Sequence, residues 1–233
     1  MLPIKDNVPT RSTPYVTIAL IAVNTLVWLW ELRIGVENAV VRWGYYPCAV
    51  DGPCEGAALH HHQLVEIVFT SMFMHGGWIH FLGNMLFLWI FGNNVEDALG
   101  HARFLFWYLI GGIAAIALQT FVTVQWGGPH DASIPNIGAS GAIAAVLGAY
   151  FFLLPRAKVL TAIFLGFFFF IQEVPAIVFL GVWIVLQALQ GGVGIVHPQQ
   201  NGGVAVFAHI GGFAFGALTV YLIAKRRPMP PRW

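Results

Sequence analysis

Charge is what this 233-residue chain has least of: Asp, Glu, Lys and Arg make up 9% of it, against roughly 25% in an ordinary soluble domain. With 58% hydrophobic residues, the chain cannot cover itself with a polar surface, which excludes a water-soluble globule. The same apolar content excludes intrinsic disorder. Neither sign of charge prevails: 11 Lys and Arg face 10 Asp and Glu, a net charge of +1. There is no basic footprint, so no nucleic-acid partner is expected. No HExxH pattern supports a membrane zinc protease, and no Walker A or Rossmann fingerprint occurs. No internal repeat of about 20–50 residues is visible. A signal peptide is not expected either, because Lys5, Asp6 and Arg11 interrupt any early apolar run.

What is present reads as membrane. Aromatic residues reach 15%, with 19 Phe and 9 Trp, which suits a lipid-facing exterior with interfacial anchors. A spanning helix needs about 20 mostly apolar residues. Six such stretches are expected, near 15–34, 78–95, 104–124, 138–154, 174–190 and 204–224. The fifth and sixth come from the run 174–224, which holds no charged residue and is divided by the Gly-rich stretch 191–203 with its five Gly and Pro198. Segment 159–172 is apolar but short for a span, and reads as an interfacial or re-entrant connector. The expected fold is an all-α polytopic membrane protein, a single domain over 1–233 with a first outer loop at 35–77. With the N-terminus inside, Lys5, Arg11, Arg103, Arg156, Lys158, Lys225, Arg226, Arg227 and Arg232 lie on the inner side and only Arg33 and Arg42 outside. That bias places both termini on the cytoplasmic side.

Polar side chains within spans are costly and point to function by default. They cluster in the second span (His75, His80, Asn84), at the start of the fourth (Gly138, Ser140, Gly141) and in the sixth (His209, Gly212, Gly216). In the expected topology all three clusters lie in outer halves, at one depth. His80 and Asn84 share a helix face, as i and i+4. Ser140, Ala144 and Gly148 form a small-residue stripe, and so do His209, Gly212 and Gly216. Facing stripes let helix backbones approach closely. They would bring the Ser140 hydroxyl to the His209 imidazole, the pairing an activated nucleophile needs. Ser140 at a helix N-terminus has free backbone N–H groups for developing negative charge, and His80 and Asn84 could add side-chain donors. Taken singly, each feature has a plainer reading. A Ser in a span usually bonds the carbonyl one turn back, GxxxG is mostly packing, and a span histidine can simply bridge helices.

The segments His75-Gly-Gly-Trp-Ile-His80-Phe-Leu-Gly-Asn84, Gly138-Ala-Ser140-Gly141 and Ala208-His209-x-x-Gly212-x-x-x-Gly216 together resemble the signature set of the rhomboid intramembrane serine proteases. Val95 to Phe104 resembles the prokaryotic branch, and the likeness runs from about Phe69 to Gly216. The resemblance implies a six-helix core and a Ser140–His209 dyad. It also implies an oxyanion site of His80, Asn84 and the Ser140 backbone N–H, with His75, Gly138, Gly141, Gly212 and Gly216 packing it. Expected substrates are transmembrane helices of other proteins, cut near their outer ends within a lipid bilayer, with no cofactor and no metal. The expected location is a prokaryotic inner membrane. Two positions depart from the pattern: Ala144 stands where some members stack a Tyr on the catalytic His, and Ala98 where an Arg is usual. No acid completes a triad, since Glu96 and Asp97 fall on the inner side and Asp131 in an outer loop.

Cys48 and Cys54, with His60, His61 and His62 close behind, leave three readings open: a disulfide, two unlinked loop thiols, or a metal site. The stretch 191–203 is expected to be an outer loop that gates the site. Two other functions compete with proteolysis: an inactive rhomboid-like protein that binds transmembrane clients, and a small transporter using the histidines as a proton path. A transporter would more typically carry acidic residues in its spans or repeated halves.

Overall fold

A computed structural model describes residues 1–52, 54, 63–166, 168–196, 205–225 and 228–231. In chain order the elements are β1 (Leu2–Asp6), α1 (Tyr15–Ile34), α2 (Val36–Trp43), α3 (Cys48–Asp51), α4 (Leu64–Ser71), α5 (Trp78–Phe87), a π-helical turn (Leu88–Gly92), α6 (Asn93–Leu99), α7 (His101–Trp126), α8 (Pro129–Ala132), α9 (Ser140–Leu153), β2 (Lys158–Leu165), β3 (Phe168–Pro175), α10 (Ala176–Val196) and α11 (Val206–Ile223). Among the described residues, four helices are long and apolar enough to cross a membrane: Tyr15–Ile34, His101–Trp126, Ala176–Val193 and Val206–Ile223. The chain is a mostly helical, multi-pass membrane protein. α5, the π turn and α6 run on without a break as a compound helix. α9 is shorter, and every residue from Gly141 to Tyr150 is buried. It is the central post against which α7, α10 and α11 pack.

The all-α expectation requires correction, because the chain also contains a three-stranded antiparallel sheet in the order β1-β2-β3. The connector read over 159–172 is a β-hairpin, paired from Lys158↔Pro175 to Leu165↔Phe168. Most of its strand residues are β-branched or aromatic, which suits extended backbone, and Gly166 supplies φ +60° at the turn. β1 completes the sheet by pairing Leu2 with Ala162 and Asp6 with Val159. Phe164, Phe168, Phe169 and Ile171 stay exposed on the hairpin, while Lys158 and Glu173 pair at its base at 2.8 Å.

Carboxylates fix the N-terminal segment beneath the helices. Glu96 accepts the backbone N–H groups of Val16 and Thr17 at 2.9 and 2.7 Å and the Thr17 hydroxyl at 2.7 Å. These are first-turn donors of α1 that have no partner within the helix. Asp97 accepts the N–H groups of Arg11 and Ser12, both at 3.2 Å. The two acids that fall outside the catalytic reading therefore cap and anchor the first helix. Asp6 is held in the same region, accepting from Asn94 Nδ2 at 2.7 Å and from the Tyr150 hydroxyl at 2.5 Å.

Burial raises the Asp6 carboxyl from 3.8 to about 6, against the lowering effect of its hydrogen bond from Tyr150. The folded chain therefore holds this proton up to about pH 6, whereas an unfolded chain releases it near 3.8. The resulting stabilisation is complete below pH 3.8 and is lost as pH rises through 6. Thermal unfolding of wild type and Asp6→Asn between pH 4 and 7 should show wild type losing stability relative to the variant over that interval. Parallel pH dependences would remove Asp6 from this role.

The Gly-rich stretch 191–203 is not a loop throughout. α10 continues through Gly191, Gly192 and Gly194 to Val196, and residues 197–203 lie outside the described residues, as do His60, His61 and His62. Glycine lowers helix propensity by about 1 kcal/mol relative to Ala, which one apolar helix can absorb. Cys48 and Cys54 form a disulfide, with Cα atoms 5.3 Å apart. Both thiols are consumed in it, which overturns the unlinked and metal-site readings of this pair.

Candidate active site

The site begins at the approach to α9. The chain between α8 and α9 is tied down by reciprocal backbone hydrogen bonds between Tyr45 and Asn136, 3.2 and 2.7 Å, and by Gly138 N–H donating to Ser71 at 2.8 Å. Gly138 adopts φ +118°, and a Cβ there would lie 2.7 Å from His80 Nε2. Both backbone and space demand glycine at this position. Two residues on, Ser140 opens α9, whose first-turn N–H groups have no partner within the helix and no side-chain cap.

α11 carries His209 alongside α9. The helices touch backbone to backbone: a Cβ on Gly212 would collide with the Gly141 carbonyl, and one on Gly216 with the Ala145 carbonyl. A Cβ on Gly148 would strike the carbonyl of Phe213. The small-residue stripes read from the sequence thus face each other. At the end of this seam the Ser140 hydroxyl and His209 Nε2 are 2.9 Å apart. Gln119 of α7 accepts the Ala208 N–H at 3.1 Å and fixes the start of α11.

The compound helix brings the remaining groups. His80 Nδ1 accepts the Gly76 N–H at 3.4 Å. That bond leaves the ring proton on Nε2, the nitrogen that faces Gly138. Asn84 is 7% exposed, and its Nδ2 makes no hydrogen bond within the described protein. A buried donor without a partner is costly, and it suits a group that waits for an acceptor to arrive. His75 is fully buried, edge-on to Trp28, Phe81 and His80. Its backbone N–H donates to both carboxylate oxygens of Glu31 at 3.1 Å. Its ring packs the wall behind His80.

Three residues of this site escape a reading of motifs. Glu31 falls at the end of a predicted span, yet it is fully buried and holds the His75 backbone. Trp183 and Gln187, one turn apart on α10, both reach His209. The Gln187 side-chain oxygen is 2.6 Å from His209 Nδ1, and the Trp183 ring lies 5.7 Å from the imidazole, centre to centre. A glutamine inside an apolar span was the available signal. Among the described residues no group of His, Cys, Asp and Glu is arranged to hold a metal ion.

Comparison with known proteins gives this constellation a family. Residues 61–226 match the model of the rhomboid domain. Rhomboid protein 1, mitochondrial, of Saccharomyces cerevisiae is 30% identical over 162 residues, covering 68% of this chain and 42% of the yeast protein. RHOMBOID-like protein 4 of Arabidopsis thaliana is 32% identical over 153 residues, covering 66% of this chain and 32% of that protein. The human presenilin-associated rhomboid-like protein, mitochondrial, is 34% identical over 152 residues, covering 65% of this chain and 36% of the human protein. The chain thus spans less than half the length of these relatives. They come from mitochondria and from a plant, and give no support to a prokaryotic inner membrane. The matched region contains every residue of the site from His75 to Gly216, so the chain belongs to the rhomboid family.

Proposed function

We propose that this chain is an intramembrane serine endopeptidase that cuts transmembrane helices near their outer ends. The observation that carries the reading is the 2.9 Å contact between Ser140 and His209 at the N-terminus of α9. Six spans are proposed: α1, the compound helix of α5 and α6, α7, α9, α10 and α11, with both termini on the inner side, where most Lys and Arg then lie. α9 has 14 residues, about 21 Å at 1.5 Å per residue, in a hydrocarbon layer about 30 Å thick. If its C-terminus reaches the inner interface, its N-terminus stops short of the outer one. Ser140 then sits below the outer surface.

The chemistry follows from the arrangement. Ser140 Oγ attacks the scissile carbonyl carbon while His209 Nε2 takes its proton. The carbonyl oxygen becomes an oxyanion, within reach of the Ser140 N–H, His80 Nε2–H and Asn84 Nδ2–H. Collapse expels the amine, which receives the proton from His209. Water activated by the same imidazole then hydrolyses the acyl-enzyme and returns the proton to Ser140. Peptide bonds of an intact helix are shielded because their carbonyls are engaged. A substrate helix must unwind locally before a bond reaches Ser140, and Gly or Pro lowers that cost, by about 1 and 3 kcal/mol relative to Ala.

A fluorophosphonate probe on the purified protein tests the reading. It should label wild type at Ser140, leave Ser140→Ala unlabelled, and compete with cleavage of a transmembrane reporter. A folded protein that neither takes the label nor cuts would instead favour the client-binding reading. His80→Ala and Asn84→Ala are expected to lower kcat by about 10²–10³ each while probe labelling persists, because each removes one donor to the transition-state oxyanion. Full activity in either variant takes that residue out of the site.

A further inference from the structure

We propose that α10 supplies the positioning group for the catalytic imidazole, with Gln187 setting its tautomer and Trp183 its ring plane. The proposal rests on the protease reading of Ser140 and His209.

A histidine acts as base through Nε2 only if its proton sits on Nδ1 and its ring is held in the plane of attack. Ser140 engages Nε2 at 2.9 Å. At the opposite nitrogen, the oxygen of Gln187 lies at 2.6 Å. A side-chain carbonyl oxygen can only accept, so the short contact requires the proton on Nδ1 and leaves the Nε2 lone pair directed at the Ser140 hydroxyl. The Gln187 amide nitrogen turns away toward Gln190 Oε1, at 3.5 Å, which is consistent with the oxygen facing His209. The ring itself lies against Trp183 at a centroid distance of 5.7 Å, inclined by 39°. Trp183 and Gln187 stand at i and i+4, on one face of α10. The residue one turn after Ser140 on α9 is Ala144, whose methyl group cannot orient the ring. The orienting contacts therefore come from a helix that carries no part of the sequence motifs.

Gln187 is neutral, unlike the Asp of a soluble triad, so it fixes the tautomer without offering a counter-charge to the imidazolium. Of the helices packed on α11, α7 presents the neutral Gln119, α9 presents Ser140, and α10 presents Gln187 and Trp183. His80 of α5 is the ionisable side chain that bears electrostatically on His209.

The test uses full-length protein in detergent or bilayer, with wild type, Gln187→Leu and Gln187→Glu compared by thermal unfolding, imidazole ¹⁵N spectra of His209, fluorophosphonate labelling and pH–rate profiles. Wild type should show the Nδ1–H tautomer. Gln187→Leu should mix the tautomers and lower kcat about 10- to 100-fold at similar KM, less than the ~10⁴ lost with the wrong tautomer in a soluble triad. Gln187→Glu, which keeps the same shape, should restore the Nδ1–H tautomer and move the acid limb of kcat/KM upward by about one pH unit or more. A merely structural residue would move neither tautomer nor acid limb. An Nε2–H tautomer in labelled, active wild type overturns the proposal while the protease reading stands. An Nδ1–H tautomer lost in Gln187→Leu, in a protein that never takes the probe, supports the positioning role and overturns proteolysis. If Gln187→Leu fails to fold, Gln187→Glu decides alone: an unmoved acid limb refutes the role.

Discussion

Replacing His209 with Ala should reduce cleavage of a transmembrane reporter at least about 10⁴-fold and abolish fluorophosphonate labelling, and Ser140→Ala should do the same. In a soluble serine protease, loss of the Ser or His alone costs about as much as loss of the whole set, because the groups act as a unit. The same interdependence is expected here from the geometry: the Ser140 hydroxyl contacts His209 Nε2 at 2.9 Å. Without the imidazole, the hydroxyl remains a poor nucleophile at neutral pH, and the oxyanion donors have no developing charge to stabilise. The double variant should therefore be no slower than either single one. His209 lies at the end of the glycine seam but takes no part in its backbone contacts, which are made at Gly212 and Gly216, so His209→Ala should remain folded. A folded His209→Ala protein that still labels and cuts at more than a few per cent of the wild-type rate would end the dyad account.

How much of this was written in the sequence depends on the range over which each contact acts. The small-residue stripes of α9 and α11 were legible because such residues recur at helical spacing, while their facing each other is a property of the fold. His80 and Asn84 share a face for the same local reason. The sheet was not legible, since β1 pairs residue 2 with residue 162, and nothing in a pentapeptide announces a partner so far along the chain. Glu96 and Asp97 read from the sequence only as inner-side acids that complete no triad, and their role appears only when α1 is brought to them, across about eighty positions. Gln187 lies 22 residues from His209 and belongs to another helix. It is uncharged and outside every motif, so nothing local in the sequence ties it to His209. The cysteine spacing allowed three chemistries, and only the fold of the intervening turn, α3, brings the two sulfurs together.

Placing a β-branched residue at Gly212 or Gly216 should cost both stability and catalysis. A Cβ at Gly212 would run into the Gly141 carbonyl and one at Gly216 into the Ala145 carbonyl. Both obstacles are backbone atoms of the buried α9, so no side chain can rotate away to relieve the clash. The helices must separate, and overpacking of this kind usually costs 1–3 kcal/mol. Separation also acts on the chemistry, because Ser140 and His209 meet at the end of the same seam. A displacement of about 1 Å can cost roughly 10² in rate even when its cause lies away from the reacting groups. Gly216→Val is the cleaner test, being two turns removed from His209 on α11. It is expected to lower the unfolding temperature in micelles and to slow cleavage at least about 10²-fold. Gly83→Ala supplies the control. That glycine lies in α5 with nothing within 4 Å of a new Cβ, and Ala favours a helix by about 1 kcal/mol over Gly. It should leave the cleavage rate unchanged and the unfolding temperature equal or higher. If Gly216→Val matches wild type in both measurements, α9 and α11 are not in backbone contact, and the seam does not set the distance between serine and histidine.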